Sequence, residues 1–228
     1  MSFKDFVLKN TIVAKKENVI KSIRESILIW RQNKTNKKIY INLSTDKIGS
    51  EQWLYLEVKD LLPEHTIIQD EYCKIEDHCE ILYIDDICLS GYNACMNFRD
   101  FFKHRSLKDV HYNFIFYGAT NEGYNLIRNY SKEFYSHFKY ACMNTIIIPR
   151  MDEIMQDKNI TFPETEIKEF HKIYSTELDD YLHPFYSDYK IPNNYGSYTK
   201  LYEEIYTPNR KFMKAIIEKW IKEFLYVK

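Results

Sequence analysis

Apolar positions along the chain alternate between a helical and a strand period. Residues 17–30 place Val19, Ile20, Ile23, Ile27 and Trp30 at spacings of one, three and four, the stripe of an amphipathic helix that lies on a sheet. Residues 38–43, β-branched and aromatic, read as a strand. A polar loop over 44–49 follows, and Ser50 can cap a helix that runs to about residue 62, ahead of Pro63. Residues 65–69 form a short strand candidate and 70–80 a polar connection. The run Ile81-Leu82-Tyr83-Ile84 is continuously apolar, as a parallel strand buried on both faces must be. A helix follows from about residue 93 to 103, with Ala94, Cys95, Phe98, Phe101 and Phe102 inward. Residues 110–117 repeat the strand pattern, 121–138 the helical one and 143–148 the strand again, stopped by Pro149.

Strands alternating with helices predict an α/β fold, a parallel doubly wound sheet with right-handed crossovers. The pattern changes after Pro149, so the expected division is a core over residues 1–150 and a C-terminal helical and irregular cap over 151–228. In the cap, helices are expected over 164–182 and 209–226. Between them, 183–197 has no period and is long for a structureless connection, which favours a lid or binding loop. Residues 1–16 show no strong period and are expected to lie across the edge of the core.

The candidate chemistry sits where the central apolar run ends. Asp85 and Asp86 follow it, then Ile87-Cys88-Leu89-Ser90-Gly91-Tyr92-Asn93 leads into the next helix. Carboxylates at the C-terminal end of a parallel strand face the crevice where open α/β sheets bind ligands. Adjacent acids on a regular strand point to opposite faces, so both reach one ligand only if the backbone turns at the strand end. The loop after them offers backbone N–H groups and a helix N-terminus, an anion site, and Gly91 leaves room for a phosphate that a β-carbon would obstruct. Hydroxyl-binding acids beside an anion cradle suit a ribose phosphate.

The string Tyr83-Ile84-Asp85-Asp86-Ile87-Cys88-Leu89-Ser90-Gly91-Tyr92-Asn93 resembles the ribose-phosphate signature of type I phosphoribosyltransferases: a hydrophobic strand, two acids, a short spacer, Ser/Thr-Gly, any residue, Thr. With Lys190-Ile191-Pro192-Asn193-Asn194 it is similar to the phosphoribosyltransferase-like conflict-effector family of bacterial defence systems. The resemblance implies that Asp85 and Asp86 hold the ribose hydroxyls of phosphoribosyl pyrophosphate (PRPP), with Mg²⁺ nearby. It implies that Cys88, Leu89, Ser90, Gly91, Tyr92 and Asn93 surround the 5′-phosphate. Displacement at C1′ would follow, with charge on the departing pyrophosphate spread onto Mg²⁺ and the preceding loop. By the same analogy Ser44, Thr45 and Lys47 are candidates for the leaving-group loop, and an ordinary capped connection explains them equally well. His183, Asn193 and Asn194 are candidates for reading a base or second substrate, folded back over the acids as a lid, and Pro turns rich in Asn also occur for conformational reasons alone. Cys88-Leu89 replaces the small hydroxyl residues usual in the family loop, Asn93 replaces its final Thr, and the first loop lacks a basic residue followed by two glycines. These departures bear on turnover more than on binding.

Composition narrows the alternatives. The formal charge of −1 supplies no general attraction to nucleic acid or membrane, and no apolar run approaches a membrane span. Five cysteines without a C-x-x-C pair argue against a zinc ribbon or a disulfide scaffold and for a reducing, cytoplasmic setting. Twenty Tyr and 14 Phe would suit stacking surfaces or interfaces, though a bias that also enriches Asn, Lys and Ile explains them better. Three functions remain: a phosphoribosyltransferase-like effector enzyme, a non-catalytic nucleotide-sensing module using the same crevice, and a protein working with a regulatory protein or nucleic-acid partner through the basic residues 15–38. The near-neutral charge disfavours the third. Cys88 as a nucleophile lacks any activating group in sequence, so an inert thiol is expected.

Overall fold

The computed structural model of the protein describes residues 1–32, 37–43, 50–64, 66–69, 74–103, 107–134, 139–174, 183–187 and 201–202. The described residues divide into two compact units, one drawn from Met1–Asn18 and those within Ile148–Ile216, the other from Val19–Ile147. No helix among the described residues is long and apolar enough to cross a membrane.

The larger unit is the α/β unit. Its strands are β2 (Ile39–Asn42), β3 (Ile67–Gln69), β4 (Glu80–Cys88), β5 (His111–Ala119) and β6 (Lys139–Ile147), all parallel, in the order β3-β2-β4-β5-β6. The helices are α2 (Lys16–Gln32, mostly in this unit), α3 (Ser50–Val58), α4 (Tyr92–Phe102) and α5 (Asn121–Phe134). Tyr40, Ile81, Tyr83, Tyr112, Phe114 and Phe116 line one face and pack with Ala94, Cys95, Phe98, Phe101 and Phe102 of α4 and Ile127 of α5. The alternate positions Ile39, Ile41, Leu82, Ile84 and Ile115 are buried too. Burial on both faces is why Ile81–Ile84 reads as an unbroken apolar run and the neighbouring strands as largely apolar ones.

Three elements of this unit differ from the pattern-based expectation. β4 runs through Cys88, so the acids lie inside the strand and not after it. Its ladder with β5 continues in register from Glu80↔His111 to Cys88↔Ala119, and those interstrand bonds hold the backbone extended past the last apolar residue. β6 begins at Lys139, ahead of its apolar run, again because β5 offers a ladder partner there. The helix after Ser50 gives way to a 3₁₀ turn, Lys59–Leu61, tied to α2 by Arg24, whose Nη1 donates to the Glu57 carbonyl and to Asp60 Oδ1 at 2.7 Å each.

The smaller unit contains α1 (Phe3–Asn10), β1 (Ile12–Ala14), α6 (Met151–Asp157), α7 (Glu164–Tyr174) and β7 (Phe185–Ser187). Residues 1–16, without a period in sequence, are ordered by a local signal. Ser2 Oγ accepts from Asp5 N–H and Asp5 Oδ2 accepts from Ser2 N–H, a capping box that starts α1. Phe3 and Phe6 then enter a core with Met151, Ile154, Phe170, Tyr186, Leu201 and Tyr202, and β1 pairs in parallel with β7. The helix expected over 164–182 is α7, its later part lying outside the described residues, as does the whole helix expected over 209–226.

Candidate functional site

The winding of the sheet reverses between β2 and β4. After β2 the chain crosses to β3 on one side, and after β4 it moves to β5 on the other. Such a reversal leaves a crevice beyond the carboxyl ends of the two strands. β4 also overhangs here: its ladder with β2 ends at Ile41↔Leu82, while that with β5 runs on to Cys88↔Ala119. Asp85 and Asp86 occupy the overhang.

Because β4 stays regular, the pleat carries the two acids to opposite faces. Asp85 shares the face of Tyr83 and is half-buried; its Oδ1 accepts from Asp86 N–H at 2.8 Å and its Oδ2 from the Tyr83 hydroxyl at 3.1 Å. Asp86 is 1% exposed, and its Oδ1 accepts from Ile87 N–H at 2.9 Å. The turn that would bring both carboxylates to one ligand is absent from this stretch, and Asp85 is the more accessible acid.

The loop beyond β4 is held from behind. Thr120, at the end of β5, donates its N–H to the Cys88 carbonyl at 3.0 Å and its hydroxyl to the Leu89 carbonyl, while Thr120 Oγ accepts from Gly123 N–H at 2.9 Å. With both loop carbonyls engaged by Thr120, the chain turns at Gly91, which caps α4 at φ 74°. A β-carbon on Gly91 would stand 2.5 Å from the Gly123 carbonyl oxygen, and one on Gly123 would stand 2.5 Å from the Leu89 oxygen. Two of the chain's five glycines are thus spent on one backbone-to-backbone contact that sets the loop on the first turn of α5. Ser90 is exposed and its Oγ accepts from Tyr92 N–H at 3.3 Å. The N–H groups of Asn93 and Ala94 have no acceptor among the described residues, the usual condition of a helix start and the one that serves an anion. Tyr92 is 60% exposed and Asn93 is exposed as well.

Cys88 is buried, and desolvation raises its thiol well above the ordinary range, with the nearby Cys142 and Asp85 adding to the shift. The thiolate is the reactive form, so Cys88 is held inert. Native protein at pH 8 should leave Cys88 unalkylated by iodoacetamide over a time in which the unfolded chain reacts fully. Peptide mass mapping checks this, and rapid native labelling would restore the nucleophile.

His183 is buried in the smaller unit, its Nδ1 3.1 Å from the Pro149 carbonyl oxygen. Ser44, Thr45, Lys47, Asn193 and Asn194 lie outside the described residues.

Sequence reading missed the polar side chains that meet the Tyr83 hydroxyl beside Asp85. The Tyr83 hydroxyl lies 3.3 Å from Glu51 Oε1 on α3, and Asn97 Nδ2 on α4 lies 3.5 Å from it while donating to the Asn93 carbonyl at 3.1 Å. Asn42, at the end of β2, donates to the Tyr112 hydroxyl at 2.5 Å. A signal existed for Tyr83, since a phenol in an otherwise aliphatic buried run needs a polar partner. Thr120 before a helix at Asn121 was likewise legible as an N-cap. No local pattern marks Glu51 or Asn97.

Comparison with known proteins gives one family and several structures. The family model described as PRTase-CE matches residues 3–211. The chain is similar to a hypoxanthine phosphoribosyltransferase from Staphylococcus aureus at 13% identity, over 65% of this chain and 83% of that one, with a TM-score of 0.39. It is similar to an adenine phosphoribosyl transferase from Trypanosoma brucei, in complex with AMP, pyrophosphate and ribose-5-phosphate, at 10% identity, over 65% and 71%, with a TM-score of 0.37. A hypoxanthine-guanine-xanthine phosphoribosyltransferase matches at 13% identity, over 61% and 81%, with a TM-score of 0.36. No curated protein matches.

Proposed function

Since the chain belongs to the PRTase-CE family, we propose that it is a phosphoribosyltransferase-like effector of a bacterial defence system that binds PRPP or a related ribose phosphate at the end of β4 and transfers or cleaves at C1′. The observation that carries this reading is the pairing of Asp85 with the loop that Gly91, Gly123 and Thr120 hold against α5. A loop fixed from behind keeps its N–H donors in place before a ligand arrives, so phosphate binding does not have to order it. Asp85, beside it, accepts hydrogen bonds from ribose hydroxyls. Asp86, buried behind the strand, anchors the overhang through Ile87 N–H. Tyr92 and Asn93, both exposed next to the loop, offer a ring and an amide to a base.

Mg²⁺ fits this site as a companion of the substrate. The ion is commonly bound by one or two carboxylates together with substrate phosphates. Among the described residues no group of three or more His, Cys, Asp or Glu is arranged to hold a metal; of the two acids, half-buried Asp85 is the one an ion could reach, Asp86 being 1% exposed. Such an ion would neutralise charge on a departing pyrophosphate.

The test is a melting screen with PRPP, ribose 5-phosphate and nucleotides, with and without Mg²⁺, followed by assay of pyrophosphate or free base. PRPP with Mg²⁺ should raise the melting temperature, and product should accumulate with Mg²⁺ and stop with EDTA. Stabilisation with intact substrate after long incubation would favour a nucleotide sensor, the reading that the Cys88-Leu89 loop supports. No stabilisation by any ribose phosphate would end both.

A further inference from the structure

The Tyr83 hydroxyl occupies a position that the ribose-phosphate reading leaves unexplained. It sits at hydrogen-bond distance from two carboxylates, 3.1 Å from Asp85 Oδ2 and 3.3 Å from Glu51 Oε1, with the Asn97 amide on a third side at 3.5 Å. A phenol has one hydrogen to give. A phenol keeps that hydrogen at neutral pH. Tyr83 is fully buried and its ring is packed edge-on against Phe114 and Phe116, at 5.9 and 6.1 Å between centroids, so the hydroxyl cannot drift from this place. Only the direction of its hydrogen is adjustable.

We propose that Tyr83 and Glu51 are positioning residues for Asp85: the phenolic hydrogen fixes the Asp85 carboxylate at the overhang of β4, and Glu51 competes for that hydrogen from α3. A hydrogen directed to Asp85 holds its carboxylate in one rotamer, so the acid is set before a ligand arrives. A hydrogen directed to Glu51 loosens it. The charge on Glu51 therefore tunes how firmly Asp85 is held, linking α3, which follows the loop after β2, to the acid on the neighbouring strand. The inference deepens the ribose-phosphate reading only in what Asp85 then grips; the hold on Asp85 exists without ligand.

Two readouts separate these layers. The first is the rotamer distribution of the Asp85 side chain in the ligand-free full chain, read from three-bond couplings by NMR at a single pH. Tyr83→Phe removes the donor that holds the carboxylate and should spread Asp85 over several rotamers. Glu51→Gln removes the competing carboxylate, commits the phenolic hydrogen to Asp85, and should narrow the distribution toward one rotamer. The second is affinity for ribose 5-phosphate against inorganic phosphate. Tyr83→Phe should weaken the sugar phosphate roughly tenfold, the size of one hydrogen bond to a charged group, and leave phosphate unchanged, because the loop is untouched. Asp85 rotamer populations that change in neither variant would overturn the proposal, as would equal weakening of both ligands with a lowered melting temperature. If Tyr83→Phe does not fold, the change in Glu51→Gln decides alone. Wild-type protein that ignores ribose 5-phosphate would sink the functional reading, while the rotamer populations still decide the positioning role.

Discussion

Asp85→Asn should remove most affinity for PRPP while moving the melting temperature little, and the double variant with Asp86→Asn should abolish binding and any effector activity. Asparagine is nearly isosteric with aspartate. Its carbonyl can still accept from Asp86 N–H, and its amide can donate to the Tyr83 oxygen, which then gives its hydrogen to Glu51. The local network survives, but the charged acceptor for the ribose hydroxyls does not. Two charge-assisted hydrogen bonds at about 1.5–3 kcal/mol each amount to a loss of at least roughly 100-fold in affinity. Asp86→Asn alone should fall more on stability than on ligand, because that side chain is buried against its own strand. Calorimetric titration with PRPP and Mg²⁺, paired with thermal melts, checks both. Wild-type affinity in a folded Asp85→Asn protein would take that residue out of the site.

The second large effect is expected at Gly91. Alanine there must adopt a φ of 74° and place its β-carbon 2.5 Å from the Gly123 carbonyl oxygen. The left-handed backbone costs about 1–2 kcal/mol, and forcing two backbones apart about 1–3 kcal/mol more, so Gly91→Ala should lower the melting temperature by on the order of 10 °C. The clash is with main chain, and no rotamer relieves it. Relief can come only by lifting the Ser90–Tyr92 loop from α5, which would also spoil the phosphate site. Gly123→Ala should act in the same direction, since its β-carbon would meet the Leu89 and Cys88 carbonyls at 2.5 and 2.7 Å. Ser90→Ala, on the same loop but exposed, should leave the melting temperature unchanged. A Gly91→Ala protein as stable as wild type and still binding ribose phosphate would show that the glycine contact is not what holds the loop.

Both predictions rest on features with unequal traces in the sequence. The acids and Gly91 stand next to an apolar run, and that adjacency alone marked a ligand site. Gly123 and Thr120 lie some thirty residues further on, in a strand-to-helix junction that looks ordinary by itself. Only the β4–β5 ladder brings them behind Leu89. Glu51 is a charged residue in the first turn of a helix, where acids are commonplace, and nothing local shows that its carboxylate meets Tyr83.

What the sequence determined by itself is what local periodicity and chemistry determine. The unbroken apolar run 81–84, and the largely apolar 110–117 that only His111 and Asn113 interrupt, required strands buried on both faces. The intervening 3.6-residue stripes required helices to cover them, and a helical crossover between successive strands makes the sheet parallel. Tertiary structure decided everything that depends on which strand lies beside which. The ladder with β5 kept β4 extended through Asp85 and Asp86, so the pleat sent the acids to opposite faces, against the expectation that they would turn toward one ligand. At the reversal of winding between β2 and β4, the ladder with β2 stops at Leu82 while that with β5 runs on to Cys88, which leaves the acids on an overhang. In the smaller unit, the Ser2–Asp5 capping box is a local signal for α1, but its partners Phe170 and Tyr202 are far along the chain. Periodicity reports which face of an element is buried; it carries no information about what buries it, because the apolar contact that does so is nearly indifferent to the identity of its partner.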